Sequence, residues 1–130
     1  MAIILREEYK FYHFRTPRWF TTEEVTQPDI TWPFVWLETL VGEVTYIYGY
    51  YIYASEENEF RLWWYSGGEG RSIRILLPGP GTVMYVNTIP INLDSPHTRG
   101  SFGLNILNQP SPESIYQAGI LASGCTWAQL

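Results

Sequence analysis

Val44-Thr45-Tyr46-Ile47-Tyr48-Gly49-Tyr50-Tyr51-Ile52-Tyr53, the polar tip Glu56-Glu57-Asn58-Glu59 and the return run Phe60-Arg61-Leu62-Trp63-Trp64-Tyr65 decide the fold. Both runs are dense in β-branched and aromatic residues, which suit a pleated, half-buried surface. Side chains alternate between the two faces of a strand. The return run therefore sets Phe60, Leu62 and Trp64 on one face and Arg61, Trp63 and Tyr65 on the other. The first run sets Tyr46, Tyr48 and Tyr50 opposite Ile47, Gly49, Tyr51 and Tyr53. Two such runs joined by a polar tip predict a β-hairpin.

Downstream, Ser66-Gly67-Gly68-Glu69-Gly70 predicts a flexible turn, and Ile73, Ile75 and Leu77 alternate with Arg74 and Leu76 as the next strand. Pro78-Gly79-Pro80-Gly81 stops it. Short strands are predicted at 83–86, 89–93 and 102–107, with loops at 94–101 and 108–112. Ile115-Tyr116 and 120–127 supply the last one or two strands. Strands spaced by turn signals every ~8–12 residues are the pattern of a sandwich or jelly roll. No helix is long enough for a parallel α/β fold. Upstream, Pro17, Pro28 and Pro33 break any longer regular element, and Thr21-Thr22-Glu23-Glu24 is the single hint of a helix start. The prediction is one all-β folding unit, an antiparallel, jelly-roll-like β-sandwich. Residues 1–40 form an irregular N-terminal arm with one or two short strands, and residues 41–130 form the sandwich.

Composition narrows the partners. The chain has 130 residues, a length that suits one domain. Eight Lys+Arg against thirteen Asp+Glu leave a net charge of −5, which repels a phosphate backbone and argues against nucleic acid. Cys125 is the only cysteine, so no internal disulfide forms, and it reads as a small buried hydrophobe. Met1-Ala2-Ile3-Ile4-Leu5 is too short an apolar run for a signal peptide. No stretch approaches the ~18 apolar residues of a membrane-spanning helix. The expectation is a protein made and used without secretion or membrane insertion.

The sequence offers little to catalysis. His13 and His97 lack metal-ligand spacing. Asp94-Ser95-Pro96-His97 crowds an acid, a hydroxyl and an imidazole into one loop, where they read as turn formers. Nothing in the spacing of Glu43, Glu57, Glu59 and Glu69 picks out the carboxylate pair a glycosidase needs. The tip at 56–59 lacks the ligand spacing of a calcium loop. Gly67-Gly68-Glu69-Gly70 has no following helix, so it is no phosphate cradle. No enzyme, metal or cofactor is expected. The aromatics are the anomaly, because six Trp, ten Tyr and six Phe exceed what one small core needs. Three readings account for them: a Tyr-rich core, an outer face covered by other subunits or the arm, and a platform for stacking sugars. Trp, Tyr and Arg dominate interface energetics. The contact candidates are Trp19, Phe20, Trp32, Trp36, Tyr46, Tyr48, Tyr50, Trp63 and Tyr65.

The motifs Gly49-Tyr50-Tyr51-Ile52, Gly79-Pro80-Gly81-Thr82-Val83, Pro90-Ile91-Asn92-Leu93 and Gly103-Leu104-Asn105-Ile106 fall in a telling order. From Glu43 onward this order resembles a β-sandwich module of bacteriophage virion proteins, such as head decorations and appendages. The resemblance implies a non-enzymatic virion structural or decoration protein, made in the host cytoplasm. It also implies self-assembly, usually as a homotrimer, on a capsid or tail protein, with the arm reaching a neighbouring subunit. The aromatic arm and the run at 63–65 lie outside that pattern. The alternative is a carbohydrate-binding module or lectin-like receptor-binding domain, with a glycan as partner.

Overall fold

The computed structural model describes residues 10–39, 41–94 and 100–129, and every regular element among them is a β-strand. The strands are β1 (Lys10–Thr21), β2 (Val25–Thr26), β3 (Val35–Thr39), β4 (Val44–Ala54), β5 (Asn58–Ser66), β6 (Glu69–Leu77), β7 (Gly81–Asp94), β8 (Ser101–Ile106) and β9 (Ile115–Gln129). They form two antiparallel sheets packed as a β-sandwich. One sheet runs β7-β4-β9, with β1 and β2 on the far edge of β9; the other runs β6-β5-β8-β3. Strand β9 belongs to both. It pairs with β4 from Tyr116 to Gly124, then with β3 from Thr126 to Gln129. The sandwich is therefore closed along β9. Along the opposite side β6 and β7 are end strands, and neither pairs with the other.

The predicted hairpin between 44–53 and 60–65 does not form. Strand β4 pairs with β7 and β9, and β5 pairs with β6 and β8, so the two runs lie in opposite sheets. Alternation signals a half-buried strand but not its partner, and facing sheets satisfy it as well as a hairpin does. The polar tip is a corner crossing between sheets. Ser55 N–H donates to the Ile115 carbonyl at 2.9 Å, and Ile115 N–H donates back to Ser55 Oγ at 2.8 Å. The tight hairpin is β5–β6, where Gly67 and Gly68 at φ 58° and 87° supply the two positive dihedrals of a type I′ turn.

Two further expectations change. Residues 83–86 and 89–93 belong to one strand, whereas 115–116 and 120–127 form a single last strand, one of the two arrangements the sequence allows. Within β7, Ile91 pairs with Ile47 and Val86 with Gly49, so residues 87–90 stand opposite Tyr48 alone. This bulge absorbs what looked like a break. No helix starts at Thr21-Thr22-Glu23-Glu24. Instead Thr22 Oγ1 accepts the Ala118 N–H at 3.1 Å and Thr22 N–H donates to the Ala118 carbonyl at 2.8 Å, which ends β1 against β9. The stretch read as an arm contributes three strands, β1 and β2 on β9 and β3 between β8 and β9.

The core lies between the sheets. Val35, Leu37, Ile52, Phe60, Leu62, Phe102, Leu104, Tyr116 and Ile120 are buried there, each large side chain contributing about 1.5–3 kcal/mol by leaving water. Thr39 Oγ1 and Thr45 Oγ1 hydrogen-bond at 2.6 Å in this interior, satisfying two buried hydroxyls where β3 turns into β4. The 107–114 connection covers one end. There Tyr116 Oη donates to Glu56 Oε2 at 2.6 Å and accepts from Asn58 Nδ2 at 2.7 Å. Asn58 Nδ2 also donates to the Asn108 carbonyl at 2.9 Å, and Ser111 N–H donates to Glu56 Oε2 at 3.1 Å.

Candidate functional site

Two surface features follow from this topology. The first is the open seam. Because among the described residues β6 pairs only with β5 and β7 only with β4, each presents one row of backbone groups with no ladder partner, and at the hairpin end Ser66 Oγ donates to the Asn92 carbonyl of β7 at 2.8 Å. A cleft of about 260 Å³ opens between them, lined by Leu62, Trp64 and Ile73 from one sheet and Ile47, Tyr50 and Tyr85 from the other. Tyr48 is an extra residue of β4 with no partner on β9, where Ile47 pairs with Ala122 and Gly49 with Leu121, and it shifts the phase of β4. Ahead of it Thr45 and Ile47 face inward; beyond it Tyr50, Ile52 and Ala54 do. Tyr50 thus turns towards the core side and stacks on Tyr85 at 6.0 Å, and burial with the neighbouring Tyr85 pushes its phenol above the ordinary value. The rim is apolar and open to water: Leu76 is 63% exposed, Met84 61%, Tyr85 53%, Val86 53% and Ile73 46%. Exposed apolar side chains thus stand on both end strands, on the faces of the sheets as well as in the cleft.

The second feature lies on the outer face of the β6-β5-β8-β3 sheet. Trp63 stands between Ser72 of β6 and Gly103 of β8, and Tyr65 between Gly70 and Ser101. The Trp63 indole leans across Gly103, where a Cβ would overlap the ring, and its Nε1–H donates to Asn105 Oδ1. Tyr65 leans the opposite way, with its ring 3.5 Å from where a Cβ on Gly70 would sit. Ser72 and Ser101 fill the places the two rings leave. The result is a shallow groove of about 390 Å³ with Arg61 and Arg71 on its walls.

The nine contact candidates separate. Trp63 and Tyr65 form the groove, and Trp36 lies on the same outer face across Gly103 in β3. Tyr48 and Tyr50 line the seam. Tyr46 is an exposed residue of β4, and Trp32 is exposed in the connection between β2 and β3. Trp19 packs edge-on against Tyr51 at 5.5 Å beside Gly119. Phe20 is in the core, with the Arg18 guanidinium 5.1 Å from its ring centre. The sequence reading missed Ile73, Leu76, Met84, Tyr85 and Val86, whose exposure comes from edge position. Gly49 inside a strand is the signal that could have located the bulge.

No three His, Cys, Asp or Glu side chains gather as metal ligands among the described residues. Glu56 and Asn58, at the tip tested for calcium, are engaged with Ser111, Asn108 and Tyr116. His97 and the rest of 95–99 lie outside the described residues, as do Met1 to Leu5 and the side chains of His13 and Cys125. No helix of the described residues is long and apolar enough to cross a membrane. Comparison with protein-family models, curated proteins and solved structures found no match to this chain.

Proposed function

We propose that the chain is a non-catalytic structural subunit that assembles with copies of itself, the β6 edge of one copy lying against the β7 edge of the next. The observation that carries this reading is the open seam, with its two free edges and its exposed Ile73, Leu76, Met84, Tyr85 and Val86. Edge-to-edge pairing would give each backbone row a ladder partner and remove the apolar rim from water. Two different edges meet in such a contact, so it is head-to-tail and closes when the rotation allows, and the trimer is the closed form that the order of strand motifs from Glu43 onward implies. The decoration role on a capsid or tail, and with it the virion setting, rests on the order of strand motifs from Glu43 onward.

Leu76→Asp on β6 and Met84→Asp on β7 test this reading, because both side chains are exposed and their loss leaves the core intact. Each variant alone should run as a monomer in sedimentation velocity, with a thermal midpoint within a few degrees of the parent monomer. An equimolar mixture should recover a dimer and no larger ring, since one sound β6 and one sound β7 edge remain. Variants that keep the parent mass would exclude the seam as the interface.

A further inference from the structure

We propose that the outer face of β5 and β6 carries a binding site for an acidic pyranose, its ring stacked on Trp63 and its carboxylate held by Arg61. The site lies on a sheet face and not along the seam, so it does not depend on assembly. Its platform is built. The Trp63 indole is laid flat by Gly103 beneath it and pinned through Nε1 by Asn105 Oδ1. One face of the ring rests on the sheet and the other lines the groove. An aromatic face is electronegative, and the C–H bonds on one side of a pyranose ring present the complementary positive edge. Tyr65, leaning the other way over Gly70, walls the groove so that a ring enters edge-limited and flat.

The polar groups match a sugar. Ser72 and Ser101 line the groove between the aromatics, and neither hydroxyl makes a hydrogen bond among the described residues. A hydroxyl both donates and accepts, which suits sugar hydroxyls. The charge selects an acid. Arg61 stands directly across from Arg74 on β6, so two like charges face each other across the strands. Arg74 reaches Glu59 at 3.4 Å, whereas Arg61 makes no ion pair among the described residues. A guanidinium fork grips a carboxylate through two parallel hydrogen bonds. The chain's net charge of −5 repels an anion in proportion to the charges it carries, so a singly charged acidic sugar is favoured over an oligonucleotide.

Calorimetric titration at low salt with N-acetylneuraminic acid, D-glucuronic acid, D-glucose and a single-stranded oligonucleotide tests the site. At least one of the two acids should bind with a millimolar Kd and more tightly than glucose, and the pair of acids tells a sialic from a uronic source. Trp63→Ala should weaken that binding by about tenfold, the equivalent of one stacked ring. Arg61→Gln, on an exposed side chain that leaves the fold intact, should abolish the preference for acid over glucose while sparing the weak stacking of both. Trp32→Ala, outside the groove, should change nothing. No binding of either acid to the parent protein, binding that survives Trp63→Ala, or binding of the oligonucleotide alone would each overturn the proposal.

Discussion

Gly124→Ala is expected to lower folding stability by roughly 3 kcal/mol or more, because two independent penalties fall on one residue. Gly124 holds φ at 108°, a region L side chains rarely adopt, and such strain costs of order 1–3 kcal/mol. A Cβ there would also overlap the Val44 carbonyl oxygen and come within 3.1 Å of Thr45 Cα. Both are backbone atoms of the paired strand β4 and cannot rotate aside, so the overlap adds about 1–3 kcal/mol of packing strain. The position matters to the whole fold. Gly124 is the last residue of β9 to pair with β4, and from Thr126 the strand pairs with β3 in the other sheet. The corner that closes the sandwich is made there. A thermal melt should show the midpoint falling by roughly 10 °C. A loss below 1 kcal/mol would mean that β9 does not cross between sheets as described.

Tyr116→Ala is expected to cost about 3–5 kcal/mol, the range for removing a fully buried aromatic side chain. Tyr116 is wholly buried, packs edge-on against Phe60 at 6.1 Å and Phe34 at 6.5 Å, and links Glu56 to Asn58 through its hydroxyl. Tyr116→Phe keeps the packing and removes only the hydroxyl, leaving one Asn58 N–H without its partner, so it should cost about 1–3 kcal/mol. The same variant carries a pH signature. Burial first, and the hydrogen bond to Glu56 second, push the Tyr116 phenol from its ordinary 10.0 up to about 12. Its contribution is therefore complete below pH 10 and lost as pH rises through about 12. The stability difference between parent and Tyr116→Phe should shrink over that window in urea titrations; a difference that stays constant from pH 9 to 12 would contradict the buried hydroxyl. The acid limb has another source. Glu56 is held below its ordinary 4.5, first by the Ser111 side chain and then by Tyr116. It stabilises the fold above that ordinary value, and the gain is lost as pH falls through the lowered one. Most of that limb should survive in Tyr116→Phe.

What could be read from the sequence, and what could not, divides on a physical line. Alternation set Phe60, Leu62 and Trp64 inward and Arg61, Trp63 and Tyr65 outward, and the structure agrees, because β5 has no bulge to break its period. The same rule misplaced Tyr50. Tyr48 has no partner on β9, since Ile47 pairs with Ala122 and Gly49 with Leu121, and the phase of β4 changes there, opposite the bulge at residues 87–90 of β7. Strand pairing was equally out of reach. The hairpin expected between β4 and β5 and the actual pairing of β5 with β6 differ only in which turn stays within one sheet. Of those two turns only the second has consecutive glycines for positive φ. The aromatic groove was half legible. Trp63 and Tyr65 stood out as outward-facing rings, but Gly103, Gly70, Ser72 and Ser101 came beside them only through the β6-β5-β8 order. The seam was hidden for the same reason, since Met84 and Leu76 look like ordinary strand residues until β6 and β7 prove to be the unpaired ends.

The central claim, that the free β6 and β7 edges join one copy to the next, is met most directly by the native mass of the unmodified chain. Light scattering behind size exclusion, at micromolar concentration and moderate salt, gives that mass without reference to any partner. A species at three times the 15.1 kDa of the single chain is the result this account predicts. A single species at 15.1 kDa across the whole concentration range would contradict it.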